Sequence, residues 1–367
     1  MRALHVAGGN IYGGIERMLA TFAATPSHSL AQEFAVSPAN RLWRELRGMG
    51  LTPAPLPAAR ASRPFSVLAA RRAFARLLSD TGVDAAIFHG SWTHAIFATV
   101  ARERDVVVAF WQHAPIIEPR WPDRWAARVP PDVVIANSLF TATAPAFIGA
   151  PMHVINCPVA EICRLSSEER KAGRAALGAC SDDVVVLMAA RLEAWKGHKV
   201  LIEAIHLLGD ARLKVWIAGG VQQNAGRSYY HELEQQITED GLQSSISLLG
   251  EREDVQSLMA LADIYCQPNS TPEPFGIAIA EAMRSGLPCV VSNTGGSAEL
   301  VDAESAVLTS PRDPIDVAVA IAKLAADPVL RSRMGRAAAA RASRMTDPEA
   351  RLTEVAAALS VQTAQVR

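Results

Sequence analysis

The chain has 367 residues, half of them hydrophobic, and a formal net charge of -1. That length is a prior for two domains or one large one, and the apolar share is enough for sizeable cores. The near-zero charge excludes an acidic tail protein and a molecule that holds nucleic acid by bulk charge, so no nucleic-acid partner is expected. The five cysteines, Cys157, Cys163, Cys180, Cys266 and Cys289, are odd in number and show no CxxC spacing. They suggest free thiols in a reducing compartment rather than a disulfide frame or a zinc site.

"MRALHVAGGN" opens the chain as a short buried strand and a glycine turn, not as a signal peptide. "GGIERMLATFAAT" then has helical spacing, as does "RLWRELRGMGL", which Gly48 and Gly50 end. Residues 52–64 carry Pro53, Pro55, Pro57 and Pro64 and read as an irregular loop. "FSVLAARRAFARLLSDTG" is an amphipathic helix, followed by the strands "VDAAIFHG", "VVVAFWQHAP", "PDVVIANS" and "PMHVINCPV". After a polar segment the pattern restarts. The strands "DVVVLMAARL", "LKVWIAGG", "SISLLG" and "DIYCQPN" alternate with the helices "GHKVLIEAIHLLG", "YYHELEQQITEDG" and "DVQSLMALA". "FGIAIAEAMRSG" follows as a helix, then "PCVVSN" and "SAVLTS" as strands, and helices fill the rest. "TDPEARLTEVAAALSVQ" is a last helix opened by Asp347-Pro348. No apolar run reaches the ~18 residues of a membrane span. A cytoplasmic protein is expected.

Strand and helix alternate throughout, and the strands are apolar on both faces. This is the pattern of parallel sheets covered by helices, an α/β class. The restart implies two doubly wound Rossmann-like domains, residues 1–157 and 158–345, with a C-terminal helix over 346–367. Ligands of such sheets bind beyond the carboxyl ends of the strands. Gly8-Gly9, His89, His113, Asn137-Ser138, Arg191, the pair Gly219-Gly220, Gly250 and Asn269 close strands in this way. The charge is uneven: residues 1–157 hold 15 Arg, no Lys and 10 Asp+Glu, and residues 41–76 hold eight Arg against one Glu. A solvated helix face is the plain explanation; a surface facing phosphates or anionic lipid is the sharper one.

"PNSTPEPFGIAIAEAMRSGLPCVVSNTGG" raises the main question. Glu273 and Glu281 lie in an otherwise apolar stretch, and carboxylates are seldom buried without partners. With a helix starting near Phe275-Gly276, Glu281 falls two turns inside it. At about 1.5 Å per residue, eight residues span roughly 12 Å, comparable to the distance from a hexose hydroxyl to a ribose hydroxyl in a folded nucleotide sugar. The N–H groups of Phe275, Gly276 and Ile277 would form a helix start that favours phosphate. A helix N-cap is the plain alternative for Glu273, and a backbone-bonded carboxylate for Glu281.

This stretch, E-P-F-G-x4-E-A-M, resembles the signature of retaining glycosyltransferases of the GT-B fold, family GT4. "GGIERML" is similar to that family's glycine-rich acceptor and phosphate loop, placing Gly13 and Gly14 there. "AARLEAWKGHKVLIEAI" is similar to its R-x4-KG segment, and "WIAGG" and "SNTGGSAELV" fall in the expected order. The resemblance implies two Rossmann-like domains facing a central cleft, with the nucleotide-sugar donor on the second and the acceptor on the first. Glu273 would bind hydroxyls of the donor sugar and Glu281 the ribose, while Arg191 and Lys196 would hold the diphosphate. Phe275, Gly276, Ile277, Gly219 and Arg252 join the donor-binding set. His113 would lie near the reacting carbon. No D-x-D occurs in the chain, so the cations take the role a metal has elsewhere, and neither metal nor other cofactor is expected. "INCPVA" departs from the family's Asn-Gly-Val-Asp hinge at Cys157 and Pro158. The helix 346–367 would pack back on the first domain.

The implied activity is transfer of a sugar from a UDP- or GDP-sugar to a saccharide, glycolipid or small-molecule acceptor, as in cell-surface glycan synthesis. A nucleotide-sugar 2-epimerase of the same fold and a non-catalytic nucleotide-sugar-binding protein are the alternatives. The arginine-rich stretch 41–76 would allow peripheral contact with the inner face of a membrane.

Overall fold

The apolar runs become strands of two sheets in the computed structural model, which describes every residue except 10, 11, 161, 163, 164, 222, 223 and 367. The first sheet holds β1 (Arg2–Ala7), β2 (Ala31–Val36), β3 (Ala54–Pro55), β4 (Ala85–Phe88), β5 (Val107–Gln112), β6 (Val133–Ala136) and β7 (Met152–Val154). Its order is β3-β2-β1-β4-β5-β6-β7, and all its pairs are parallel. The second sheet holds β8 (Val184–Ala189), β9 (Leu213–Ala218), β10 (Ile246–Gly250), β11 (Ile264–Gln267), β12 (Cys289–Ser292) and β13 (Ala306–Thr309). Its order is β10-β9-β8-β11-β12-β13, again parallel. Each sheet reverses its winding once, between β1 and β4 and between β8 and β11. Outside such a reversal point, at the carboxyl ends, an open parallel sheet leaves a crevice for ligands.

The chain divides into two units. Met1–Pro158 and Thr346–Arg367 make one, and Val159–Met345 the other. In the first, helix Pro348–Val366 returns to pack on β5, β6 and helix Gly14–Ala24. Its core is aromatic: Phe74, Phe88, Phe97 and Phe110 lie on Leu4, Val6 and Val108. In the second, Val186, Met188, Val215 and Ile217 of the sheet meet Leu201 and Ile205 of helix His198–Leu208 and Val317 and Ile321 of helix Pro314–Ala326.

Several expectations need correction. The proline-rich segment 52–64 contains β3, a two-residue strand at the sheet edge, where a missing N–H is tolerated. β2, "AQEFAV", was not expected; Gln32 and Glu33 break its apolar pattern, yet it pairs with β1 over its whole length. Helices Ser91–Arg102 and Ser167–Ala176 were also not foreseen. The first is so thoroughly buried that it shows no polar face. The second is nearly all polar and is started by a capping box in which Ser166 and Glu169 bond each other's backbone N–H. Cys157, Cys266 and Cys289 are buried free thiols and Cys180 is an exposed one; Cys163 lies outside the described residues. No helix of the described residues is long and apolar enough to cross a membrane.

Candidate active site

In the second unit the reversal point is furnished by three segments. β11 delivers Tyr265, Gln267 and, just past its end, Asn269. The period-2 alternation of a strand puts these three on one side. They form a buried polar ladder: the Tyr265 hydroxyl lies 2.7 Å from Gln267 Oε1, and Gln267 Nε2 donates to Asn269 Oδ1 at 3.1 Å. The ladder ends on Glu273. Its Oε2 accepts from Asn269 Nδ2 at 3.1 Å, from Gln267 Nε2 at 3.2 Å and from Lys196 Nζ at 2.5 Å. Three donors on one oxygen explain how a carboxylate only 8% exposed is tolerated there.

Lys196 arrives from the turn after β8. Its ammonium also lies 4.0 Å from the Trp195 ring centroid. The next residue must be glycine, because Gly197 has φ +87° and a Cβ there would fall 1.8 Å from the Pro268 carbonyl oxygen. Ser270 N–H donates to the Trp195 carbonyl at 2.8 Å, which fastens the turn to the end of β11. The third segment is the "NTGG" turn after β12. Gly296 N–H donates to the Glu273 carbonyl at 2.7 Å. At Gly295, with φ +69°, a Cβ would come within 2.5 Å of that same oxygen.

The two glutamates do not sit on one helix. The helix runs Ile277–Arg284, with Gly276 as N-cap at φ +97°. Glu273 precedes it, so the axial rise does not measure the distance between the carboxylates. Glu281 is one turn inside, not two, and is buried. The free N–H groups belong to the turn starting at Ile277; Phe275 lies before the cap, with its ring buried. Glu273 is not a helix cap, since its carboxylate is held by side chains.

Arg191 stands two residues past β8 and pairs with Glu193 Oε1 at 3.1 Å. It lines a cavity of about 660 Å³ with Glu193, Lys199, Gly220, Tyr229 and Ser270. Lys196 and Glu273 are not among its lining residues. Gly219 packs rather than opens space: a Cβ on it would fall 2.0 Å from the Ala190 carbonyl oxygen. Arg252 is turned toward Asp254, which it holds through two hydrogen bonds of 2.8 and 2.7 Å.

In the first unit, Gly13 is the N-cap of helix Gly14–Ala24, and its N–H is taken by Glu16 Oε2 at 2.9 Å. A carboxylate of the chain thus already serves this helix start. His113 follows β5, and Asn137 Nδ2 donates to its carbonyl at 3.1 Å. Burial pulls its pKa down to about 3. His89, which also closes a strand, bonds His113 through its own ring at 3.1 Å. His94 is buried in the core, bonded to the Val129 carbonyl at 2.7 Å. Trp111 is fully buried, whereas Trp92, Trp121 and Trp125 form an aromatic cluster with Trp121 half-exposed. Sequence reasoning placed Asn269 at a strand end but did not connect it, or Gln267, to Glu273. Their alternation with Tyr265 was the available signal. Among the described residues no group of three or more His, Cys, Asp or Glu is arranged to hold a metal.

Two parallel-sheet Rossmann-like units define an α/β protein of the GT-B type. Its solved relatives include the Anabaena protein HepE in complex with UDP-glucose, with a TM-score of 0.84 at 25% identity, covering 98% of this chain and 100% of that one. Sucrose-phosphate synthase of Thermosynechococcus elongatus has the same fold, with a TM-score of 0.79 at 16% identity over 99% of both chains. Residues 169–341 match the family of glycosyl transferases group 1. D-inositol 3-phosphate glycosyltransferase of Corynebacterium kroppenstedtii is 31% identical over 207 residues, 53% of this chain and 46% of that protein. The chain spans about half the length of the curated relatives it matches.

Proposed function

We propose that the chain is a glycosyltransferase that moves a sugar from a nucleotide-diphosphate sugar to a saccharide-type acceptor with retention of configuration. The Lys196–Glu273 pair beside the start of helix Ile277–Arg284 carries this reading. Breaking the glycosidic bond of such a donor puts negative charge on the departing diphosphate. A lysine, an arginine and a helix N-terminus can stabilise that charge where it develops. Lys196 shares its ammonium between Glu273 and a phosphate, and Arg191 leaves Glu193 for the other phosphate. Glu281 takes the ribose hydroxyls.

Glu273 is a positioning acceptor for sugar hydroxyls rather than a nucleophile. Its Oε2 already accepts from three donors, which suits holding a hydroxyl better than attack on carbon. Transfer then runs on one face of the sugar, with the leaving phosphate accepting the proton of the acceptor hydroxyl. With protein cations on the diphosphate, transfer proceeds without a metal. The HepE complex with UDP-glucose supports a UDP-sugar as the first donor to test.

The test is calorimetry with UDP, GDP and ADP and their common sugar esters in EDTA, followed by product analysis with saccharide acceptors. Clear binding of one nucleotide and an α-configured product from an α-linked donor are expected. A β-configured product, or a strict need for added metal, would overturn the corresponding part. The reading of 41–76 as a peripheral membrane contact is supported by Phe65 and Leu68, 86% and 46% exposed beside Arg60 and Arg63. Flotation with anionic liposomes that is unchanged in Arg60→Glu/Arg63→Glu would remove it.

A further inference from the structure

Three imidazoles stand in a row in the first unit. His5 is on β1, His89 directly follows β4 and His113 directly follows β5. These strands are neighbours in the sheet. His5 Nδ1 lies 2.9 Å from His89 Nε2, and His89 Nδ1 lies 3.1 Å from His113 Nε2. Successive rings stack with centroids 5.2 and 5.3 Å apart. Burial holds all three neutral, and the row contains no carboxylate. A neutral imidazole has one N–H donor and one bare acceptor nitrogen. The protonation of one ring therefore dictates that of the next.

The inner end sets the direction. Gln32 on β2 gives its Nε2–H to the Phe22 carbonyl at 2.9 Å. A carbonyl only accepts, so this bond fixes which way the amide faces and leaves Oε1 over. Gln32 Oε1 and His5 Nε2 are both buried, and neither makes a hydrogen bond in the structure. Gln32 is the side chain near enough to His5 to oppose the lowering of its pKa by burial. An amide oxygen against a bare ring nitrogen would leave two buried acceptors unsatisfied, which is costly. The proton belongs on His5 Nε2.

We propose that Gln32, His5 and His89 are positioning residues that hold His113 as its Nε2–H tautomer, leaving Nδ1 bare to accept a hydrogen bond from a hydroxyl of a bound saccharide. His113 Nε2–H donates to His89 Nδ1 and His89 Nε2–H donates to His5 Nδ1, which leaves His5 Nε2–H as the donor available to the orphaned Gln32 Oε1. His113 is the half-buried outer end of the row, and among the described residues no side chain or backbone group bonds its Nδ1. The row stops at an amide, a very weak base, so it orients His113 and does not conduct protons. The nature of the ligand rests on the glycosyltransferase reading; the tautomer does not.

The experiment is a long-range proton–nitrogen correlation spectrum of the full chain labelled with 15N-histidine, without ligand and at neutral pH. His113→Asn assigns the His113 signals by their loss. A protonated ring nitrogen and a bare one resonate far apart, so the spectrum reads the tautomer directly. His113 with a bare Nδ1 and a protonated Nε2 is expected. In Gln32→Leu the terminal acceptor is gone, and His113 should pass to a mixture of tautomers while the circular dichroism stays that of the parent. A His113 protonated on Nδ1, or charged, in the parent chain would overturn the proposal; so would an unchanged His113 pattern in folded Gln32→Leu. The parent spectrum decides the tautomer even if that variant does not fold. Failure to transfer any sugar, with the tautomer as expected, would sink the activity and leave the row standing.

Discussion

Lys196 donates from Nζ to Glu273 Oε2 at 2.5 Å, joining residues 77 apart in sequence. Both side chains are close to nine-tenths buried, at 12% and 11% exposure. Removing one member of such a pair leaves the other charged and poorly solvated, which costs roughly 3–5 kcal/mol. Glu273→Ala should therefore destabilise the second unit by a few kcal/mol and reduce kcat/KM by at least about 100-fold. Glu273→Gln keeps the shape and removes the charge. It should lose transfer to a similar degree while melting closer to the parent. Wild-type transfer by Glu273→Gln in a kinetic assay would refute the assigned role.

Arg191 offers a cleaner separation of binding from folding. Its side chain is 38% exposed and its ion pair with Glu193 is a surface contact, worth about 1 kcal/mol or less. Arg191→Ala should melt within a degree or two of the parent. Donor affinity should fall about ten- to a hundredfold, as expected for one charge-assisted hydrogen bond to phosphate. Calorimetry with UDP reads this, and undiminished affinity would place the diphosphate elsewhere.

Gly295 touches no proposed ligand, yet it should matter to binding. It has a positive φ, and a Cβ would come within 2.5 Å of the Glu273 carbonyl oxygen and 2.7 Å of the Glu273 nitrogen. Gly295→Ala must push the Glu273 backbone away or strain the turn, at a cost of about 1–3 kcal/mol. Weaker donor binding with a lower Tm is the expected pair of effects. Gly209→Ala is the control: it also has a positive φ but open space around its Cβ, so it should lower Tm alone.

The buried histidines predict an acid limb of stability. Burial pulls His5 and His113 down to about 3, and His94 and His198 to about 4, from 6.5. Their folded pKa values lie below the unfolded ones, so their contribution is complete above pH 6.5 and is lost as pH falls toward the folded values. Each costs up to about 1.4 kcal/mol per pH unit within that window. Urea unfolding should show a falling midpoint below pH 6.5, made shallower by His94→Phe. No kinetic limb near pH 6.5 should come from His113, because it is neutral well below that value. A flat stability profile down to pH 4 would contradict the burial of these rings.

Much of this fold was legible in the chain itself. Runs such as "VVVLMAARL" and "LKVWIAGG" are apolar on both faces, and only a parallel sheet covered on both sides satisfies that. The spacing of Arg191 to Lys196-Gly197, and of Glu273 to Glu281, drew attention to segments that follow β8 and β11 in the second sheet. β2 was hidden because two polar residues interrupt it. The helix start was misplaced because Phe275-Gly276 looks like helix entry, whereas Gly276 is a left-handed cap. The partners of His89 and Gln32 could not be foreseen, since a lone polar residue beside a strand has none until neighbouring strands are known.

The sequence by itself determined the alternation of elements, the α/β class and which short segments carry charge into apolar surroundings. These follow from local rules: side-chain period, glycine and proline stereochemistry, and the cost of burying a carboxylate. Tertiary structure alone decided the strand orders, and with them the meeting of Lys196 with Glu273 and of His5 with His89 and His113. The physical reason is that a parallel sheet pairs strands that are distant in the chain. The energy of each polar contact depends on which partner that pairing supplies, and no local pattern encodes it.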